Sequence, residues 1–361
     1  MKIRHILAVV VAGSLVLPCA AKSKDPFGVL AATVGNNVVL VDAASGRSVT
    51  LESGPVGWLF PAPGGIVFAP DVINGSTSVV NLRSQRVVEK LDGLTMPHFG
   101  LRQDRYMAIA GQVLVVSYPE RAVMKKIPAA IENPWQVIIA PEDAAMVVLE
   151  RLPDGSTGIH LTTVNLFTGQ TVFRRPLGGD IRHMAFSASL GLLAFADHQA
   201  GAVHLVQPAT LNPTAVRRTP GRPVDVVFAR GDSILVTALE VENGTGLVDL
   251  AKFKSGKKGI SLDKEFGVPL PAPPVRIAPS PDGEHVAVAM EGGRVAIVRV
   301  SKREVVATYE LPGSPRDLRW CDPSVEGPIL PEWSDGETEE GGFDPYVPRV
   351  DDGSAVGLSP P

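Results

Sequence analysis

The strongest constraint on this chain is a pair of residues that recurs seven times. The copies are Val41-Asp42, Val80-Asn81, Val116-Ser117, Val164-Asn165, Val206-Gln207, Val248-Asp249 and Val298-Arg299. Each ends an apolar, strand-like run and is followed by a short turn and a second β-rich run. A second column alternates with the first: Pro55-Val56, Pro97-His98, Pro134-Trp135, Ile181-Arg182, Pro223-Val224, Pro274-Val275 and Pro315-Arg316. Proline in six of the seven fits the first residue of a strand and not its middle. Two interleaved seven-fold columns predict seven stacked β-units in one all-β domain, a seven-bladed β-propeller of four-stranded antiparallel blades.

The last unit shows the expected blade most fully. Val275 to Ala278 reads as the innermost strand. Ser280-Pro281-Asp282-Gly283 is a tight turn, and Glu284 to Met290 the second strand. Arg294 to Val300 and Arg303 to Leu311 complete it. The ends predict how the ring closes. The chain near Phe27 starts with a second strand, not an inner one, and gives strands near 28–34, 37–42 and 47–52. The seventh inner strand, 315–320, has no partners after it. It is expected to complete the first blade, which removes the exposed edges of an open ring.

Composition agrees with such a ring. A hydrophobic fraction of 45% with 20% charged residues suits sheets buried on both faces. Lys2 and Arg4 precede a twelve-residue apolar run, Ile6 to Leu17, too short to span a bilayer. Cys19-Ala20-Ala21 supplies small residues for cleavage before Lys22. The expected organisation is a signal peptide at 1–21, the propeller at 22–321 and a tail at 322–361. The expected location is periplasmic or extracellular. Pro18 stands where a lipoprotein leader needs a small residue, so no lipid anchor is expected at Cys19.

The tail holds ten acidic residues against one arginine and is rich in Pro, Gly and Ser. It reads as disordered. With the leader and tail set aside, the body carries a net +3, and no basic run alternates with aromatics. A nucleic-acid groove is therefore not expected. One cysteine, Cys321, remains after cleavage, so neither a disulfide nor a c-type haem attachment is expected.

The stretch Ser280 to Leu318 resembles a repeat of the YVTN family of seven-bladed propellers. Ser-Pro-Asp-Gly at 280–283, Val-Ala-Val-Ala at 286–289, Arg303 to Thr308 and Gly313-Ser314-Pro315-Arg316 follow the course of such a repeat. The resemblance implies an exported propeller of binding or unknown function. Its motif residues are structural and carry no catalytic role.

Candidate ligand residues lie just after the proline column, where propellers converge on their axis. They are His98, Trp135, Gln136, Arg182, His183, Asp225, Arg276, Arg316 and Asp317. Together they suit an anion, a small polar ligand or a peptide end. They equally suit mutual pairing that satisfies buried loop groups. The second-to-third-strand loops add Asp71, Asn74, Glu150, Asp154, Asp197, His198, Glu240, Glu242 and Asn243 at the same end. Asp197-His198 beside His204 is the one local cluster of metal-ligand types. No Gly-x-Ser-x-Gly, Walker loop or metal motif occurs, so no catalytic residue, metal or cofactor is expected. The expected function is recognition of a protein or peptide partner at the axial face. The alternative is a cofactor-binding or lactonase-like enzyme using His98, His183, Arg182 and Arg316.

Overall fold

The computed structural model describes residues 26–324, apart from 72, 94, 101–102, 110–111, 130, 132–133, 140–144, 152–158, 209–211 and 257–258. The leader 1–21 and tail residues 325–361 lie outside the described residues. Seven antiparallel sheets are arranged as a propeller, and the described chain is almost free of helix.

Blade one joins the first and last strands of the described residues. Its inner strand is Pro315–Cys321, followed outward by Val29–Val34, Asn37–Asp42 and Ser48–Glu52. Leu30 pairs with Trp320 and Val29 with Cys321. The Trp320 indole N–H donates to the Phe27 carbonyl at 2.7 Å. The closure expected from 315–320 is therefore present, extended by one residue.

The inner strands of blades two and four to seven are Phe60–Ala62, Pro134–Ile139, Ile181–Ser187, Arg222–Ala229 and Pro274–Pro279. Blade three departs from the pattern. Its sheet has three strands, Arg105–Ile109, Val113–Ser117 and Val123–Ile127. Residues 97–100 take the inner position, and His98 exchanges both backbone hydrogen bonds with Met107 at 2.9 Å.

Blade-to-blade packing uses the apolar side chains on both faces of the middle strands. Leu30, Ala32, Val39 and Val41 of blade one meet Ala287, Ala289, Val295 and Ile297 of blade seven. On its other face, Ala31, Val38 and Leu40 meet Val67, Ala69 and Val80 of blade two. The Val column thus lies inside these contacts: Val41, Val80, Val164, Val248 and Val298 are all at most 1% exposed. Burying a Val side chain contributes about 1.5–3 kcal/mol, so packing explains the valine, while Asp42, Asn81 and Asn165 accept from amides of the turn that follows.

Inner strands run from the fourth-strand loop of the preceding blade to the turn before the second strand. Pro315 lies beside Val34, at the end of the second-to-third-strand turns, and Cys321 beside Val29 at the opposite end. The ring therefore has two mouths. The proline column marks the first, and the turns from inner to second strands mark the other.

Candidate functional site

A bulge at the start of the inner strands decides where the candidate side chains point. The register skips one residue between Pro134 and Gln136, Ile181 and His183, Pro223 and Asp225, and Pro274 and Arg276. Such a bulge leaves the extra residue unpaired and re-aims the next. The extra residues are Trp135, Arg182, Val224 and Val275. The re-aimed ones are Gln136, His183, Asp225 and Arg276.

Each re-aimed polar side chain reaches an inner strand of an adjoining blade. Gln136 of blade four accepts from the Met184 N–H at 2.8 Å and donates to the Met184 carbonyl at 2.6 Å. His183 Nδ1 of blade five lies 2.7 Å from Asp225 Oδ1 of blade six. Asp225 accepts from the Ile277 N–H of blade seven at 3.0 Å. Arg276 Nε lies 3.6 Å from Asp317 Oδ1 of blade one. Asp317 accepts from the Leu59 N–H of blade two at 2.9 Å, and Arg319 donates to the Leu59 carbonyl at 3.1 Å. Five successive junctions are thus stitched by one polar column.

Asp225 and Asp317 are fully buried in this stitch, where an unpaired carboxylate would be costly. Burial pushes Asp225 up. The His183 ring, Arg276 and the Ile277 N–H outweigh it and hold the carboxyl below its ordinary value.

The stitch stops at blades two and three. The equivalent residues there are Gly57, which has no side chain, and Phe99, which has no polar atom. Phe60 instead meets the His98 ring edge-on, with centroids 5.2 Å apart, and Phe99 stands edge-on to Tyr118 at 5.1 Å. At this break lies a cavity of about 300 Å³. It is walled chiefly by Trp58, Phe60, Met96, Phe99, Ile109 and Val137, with His98, Gln136 and Arg319 as its polar edge. Burial and the nearby Arg319 charge lower His98 to about 3, so at neutral pH the ring is uncharged and can both donate and accept.

The structure does not gather all nine candidates into one place. His98 and Gln136 line the cavity. His183, Asp225, Arg276 and Asp317 form the stitch. Arg182 is exposed and pairs with Asp180 at 2.7 Å, and Arg316 is exposed on blade one. The Trp135 side chain lies outside what the structure describes.

The second-to-third-strand residues serve their own turns or neighbouring strands. Asp71 accepts from the Ile73 and Asn74 amides, and Asp197 accepts from the Ala200 amide. Gly179, at φ +90°, lets the Asp197 carboxylate approach, since a Cβ there would sit 2.5 Å from it. Glu150 bonds Thr162 and Arg174. His204 lies 3.3 Å from Asp197, while His198 faces Glu240 at 3.7 Å. Among the described residues no three His, Cys, Asp or Glu side chains come together as a metal site. Asp154 falls outside the described residues.

Trp58, Phe60, Met96, Ile109, Val137 and Arg319 line the cavity yet do not stand out as candidates in the sequence. Apolar residues in a β-rich chain read as core. The available signal was the loss of polarity at Gly57 and Phe99 in an otherwise polar column.

Fold and site define a closed seven-bladed propeller with an aromatic-walled cavity at the axial end of blades two to four. No family model matches the chain, and no curated protein matches it. Solved structures are similar in fold. A functionally unknown protein from Desulfotomaculum acetoxidans superposes with a TM-score of 0.59 at 14% identity, covering 82% of this chain and 99% of that one. A candidate 6-phosphogluconolactonase from Bacteroides fragilis gives 0.58 at 14%, covering 84% and 100%. The propeller domain of Cps50 (Swd1) from Myceliophteria thermophila gives 0.52 at 12%, covering 72% and 88%.

Proposed function

We propose that this chain is an exported, non-enzymatic binding propeller that receives an apolar or aromatic side chain of a protein or peptide partner in the cavity of blades two to four. One observation carries the reading: the polar stitch that occupies five junctions is replaced at the remaining two by an aromatic-walled cavity. Pockets of this size that combine aromatic walls with a few polar groups are a usual form of a binding site. His98, whose neutral ring both donates and accepts, suits recognition of a backbone amide beside the inserted side chain. The basic head, apolar run and small residues of 1–21 support export, and the last blade's resemblance to YVTN repeats agrees with it.

Selection of a displayed random-peptide library on the propeller tests the reading. Peptides enriched for aromatic or large aliphatic residues should emerge. Trp58→Ala and Val137→Glu should weaken them at least tenfold, as hot-spot truncations do, with circular dichroism unchanged. Equal binding to both variants, or no enrichment, would remove this site. Mass spectrometry of the secreted protein should find Lys22 at its amino terminus.

A further inference from the structure

The outer strands of three adjacent blades differ from the rest in charge. Val123–Ile127 of blade three, Thr171–Leu177 of blade four and Pro213–Arg218 of blade five each carry a dibasic pair and no acid: Lys125-Lys126, Arg174-Arg175 and Arg217-Arg218. The outer strands of the other blades all carry acids: Glu52 on blade one, Glu89 and Asp92 on two, Asp263 and Glu265 on six, Glu304 and Glu310 on seven. Strand alternation splits each basic pair. Arg174 meets Glu150, and Arg217 meets the buried Asp249. Lys125 Nζ donates to the Leu166 and Phe167 carbonyls at 3.1 and 3.0 Å. Lys126, Arg175 and Arg218 are exposed and have no carboxylate partner among the described residues.

The same flank exposes apolar side chains. Met124, Phe167, Val172 and Val216 are each more than half exposed, and among the large apolar residues described only Ile73 elsewhere matches them. Phe167 stands on a fixed turn. Asn165 Oδ1 accepts from the Phe167 and Thr168 amides at 2.9 Å, and Lys125 holds the carbonyls. Cations and apolar residues are also separated along the ring axis. Lys126, Arg175 and Arg218 pair with Leu114, Leu161 and Ala202, near the start of their third strands and so next to the first mouth. Val172 lies at the bulge beside Val164, and Phe167 in the turn beyond Asn165, towards the second mouth.

We infer that this flank docks the protein on an anionic lipid bilayer. The exposed apolar side chains enter the boundary between headgroups and acyl chains, and Lys126, Arg175 and Arg218 meet lipid phosphates. Two observations favour a bilayer over an acidic protein. Apolar side chains beside a row of cations are the layout of interfacial binders, which gain from buried apolar area and anionic headgroups together. The flank is also the convex outside of the ring, which offers a bilayer a surface and a peptide no groove. The cavity of blades two to four draws no wall from these residues, so docking is independent of the partner site.

Flotation of the secreted protein with phosphatidylcholine vesicles, plain or carrying about 30% phosphatidylglycerol, tests the inference. Binding to the anionic vesicles should exceed binding to the plain ones at least about tenfold. Lys126→Glu, Arg175→Glu and Arg218→Glu together should remove that gain. Arg47→Glu, Arg86→Glu and Lys302→Glu make an equal charge change at exposed positions of blades one, two and seven, and should keep most of it. Equal loss in both triple variants, or no preference for the anionic vesicles, would overturn the inference. Met124→Ser with Phe167→Ser should weaken vesicle binding about fivefold at unchanged charge, with circular dichroism unchanged. No weakening would overturn lipid docking, and tight binding to soluble polyglutamate would then assign the flank to an acidic protein.

Discussion

Two arcs of the inner ring solve the same packing problem with different chemistry. From blade four round to blade one, Gln136, His183, Asp225, Arg276 and Asp317 tie each inner strand to the next. From blade two to blade four, Phe60, His98 and Phe99 pack by ring contacts and leave a cavity. A buried, hydrogen-bonded carboxylate fixes direction and spacing tightly. Aromatic contacts tolerate a guest, because a side chain of the partner can replace the contacts it displaces. The difference sets a polar arc that ties the scaffold together against an apolar arc where the proposed partner site lies.

Asp225→Ala should produce the largest effect on this comparison. It removes the acceptor of the Ile277 N–H and the buried partner of the His183 ring and weakens the charge balance at Arg276, which costs about 3–5 kcal/mol. Denaturant unfolding reads the loss, and Phe60→Ala in the apolar arc should cost clearly less. Gln136→Met keeps the volume but leaves both backbone groups of Met184 unpaired. A loss of about 1–3 kcal/mol is expected, read in the same way.

Acid should separate the two arcs by pH. His98 is lowered to about 3 in the folded chain, while the unfolded histidine binds its proton near 6.5. The unfolded state therefore takes up the proton first. Stability falls as pH drops from 6.5 towards 3, by no more than about 1.4 kcal/mol per pH unit. His98→Gln should flatten that window. Asp225 has the same proton preference lower down, since its folded carboxyl also holds a proton less tightly than the unfolded one. Its depressed carboxyl contributes stability above the ordinary value of 3.8, and that contribution is lost as pH falls through the folded value. Unfolding curves of both proteins between pH 7 and 3 check the two windows.

The smallest effect concerns Cys321. Burial raises its thiol to about 12, with Arg319 opposing, so little thiolate forms at neutral pH. Iodoacetamide should leave Cys321 unmodified in the native chain and modify it on unfolding, as read by mass spectrometry.

The ring itself was legible because its determinants are local and repeated. Strands expected at 28–34, 37–42 and 47–52 appear at Val29–Val34, Asn37–Asp42 and Ser48–Glu52. The closure by 315–320 followed from counting inner strands against outer ones. The axial column was legible as polar, but not what it contacts. That depends on a bulge between Pro223 and Asp225, or Ile181 and His183, which period-two alternation does not encode. The shortened inner segment of blade three was hidden for a related reason. Pro97-His98 continues the column, yet only His98 joins the sheet. The cavity residues stayed invisible because Trp58 and Val137 carry no chemistry that separates a binding wall from a core.

Hydrogen–deuterium exchange with and without a selected peptide tests the two-arc account most directly. Bound peptide should protect 58–61, 96–99 and 134–137, and leave 224–226, 275–277 and 316–318 unchanged. Protection centred on the second set, with the first unaffected, would place binding on the stitched arc and contradict the account.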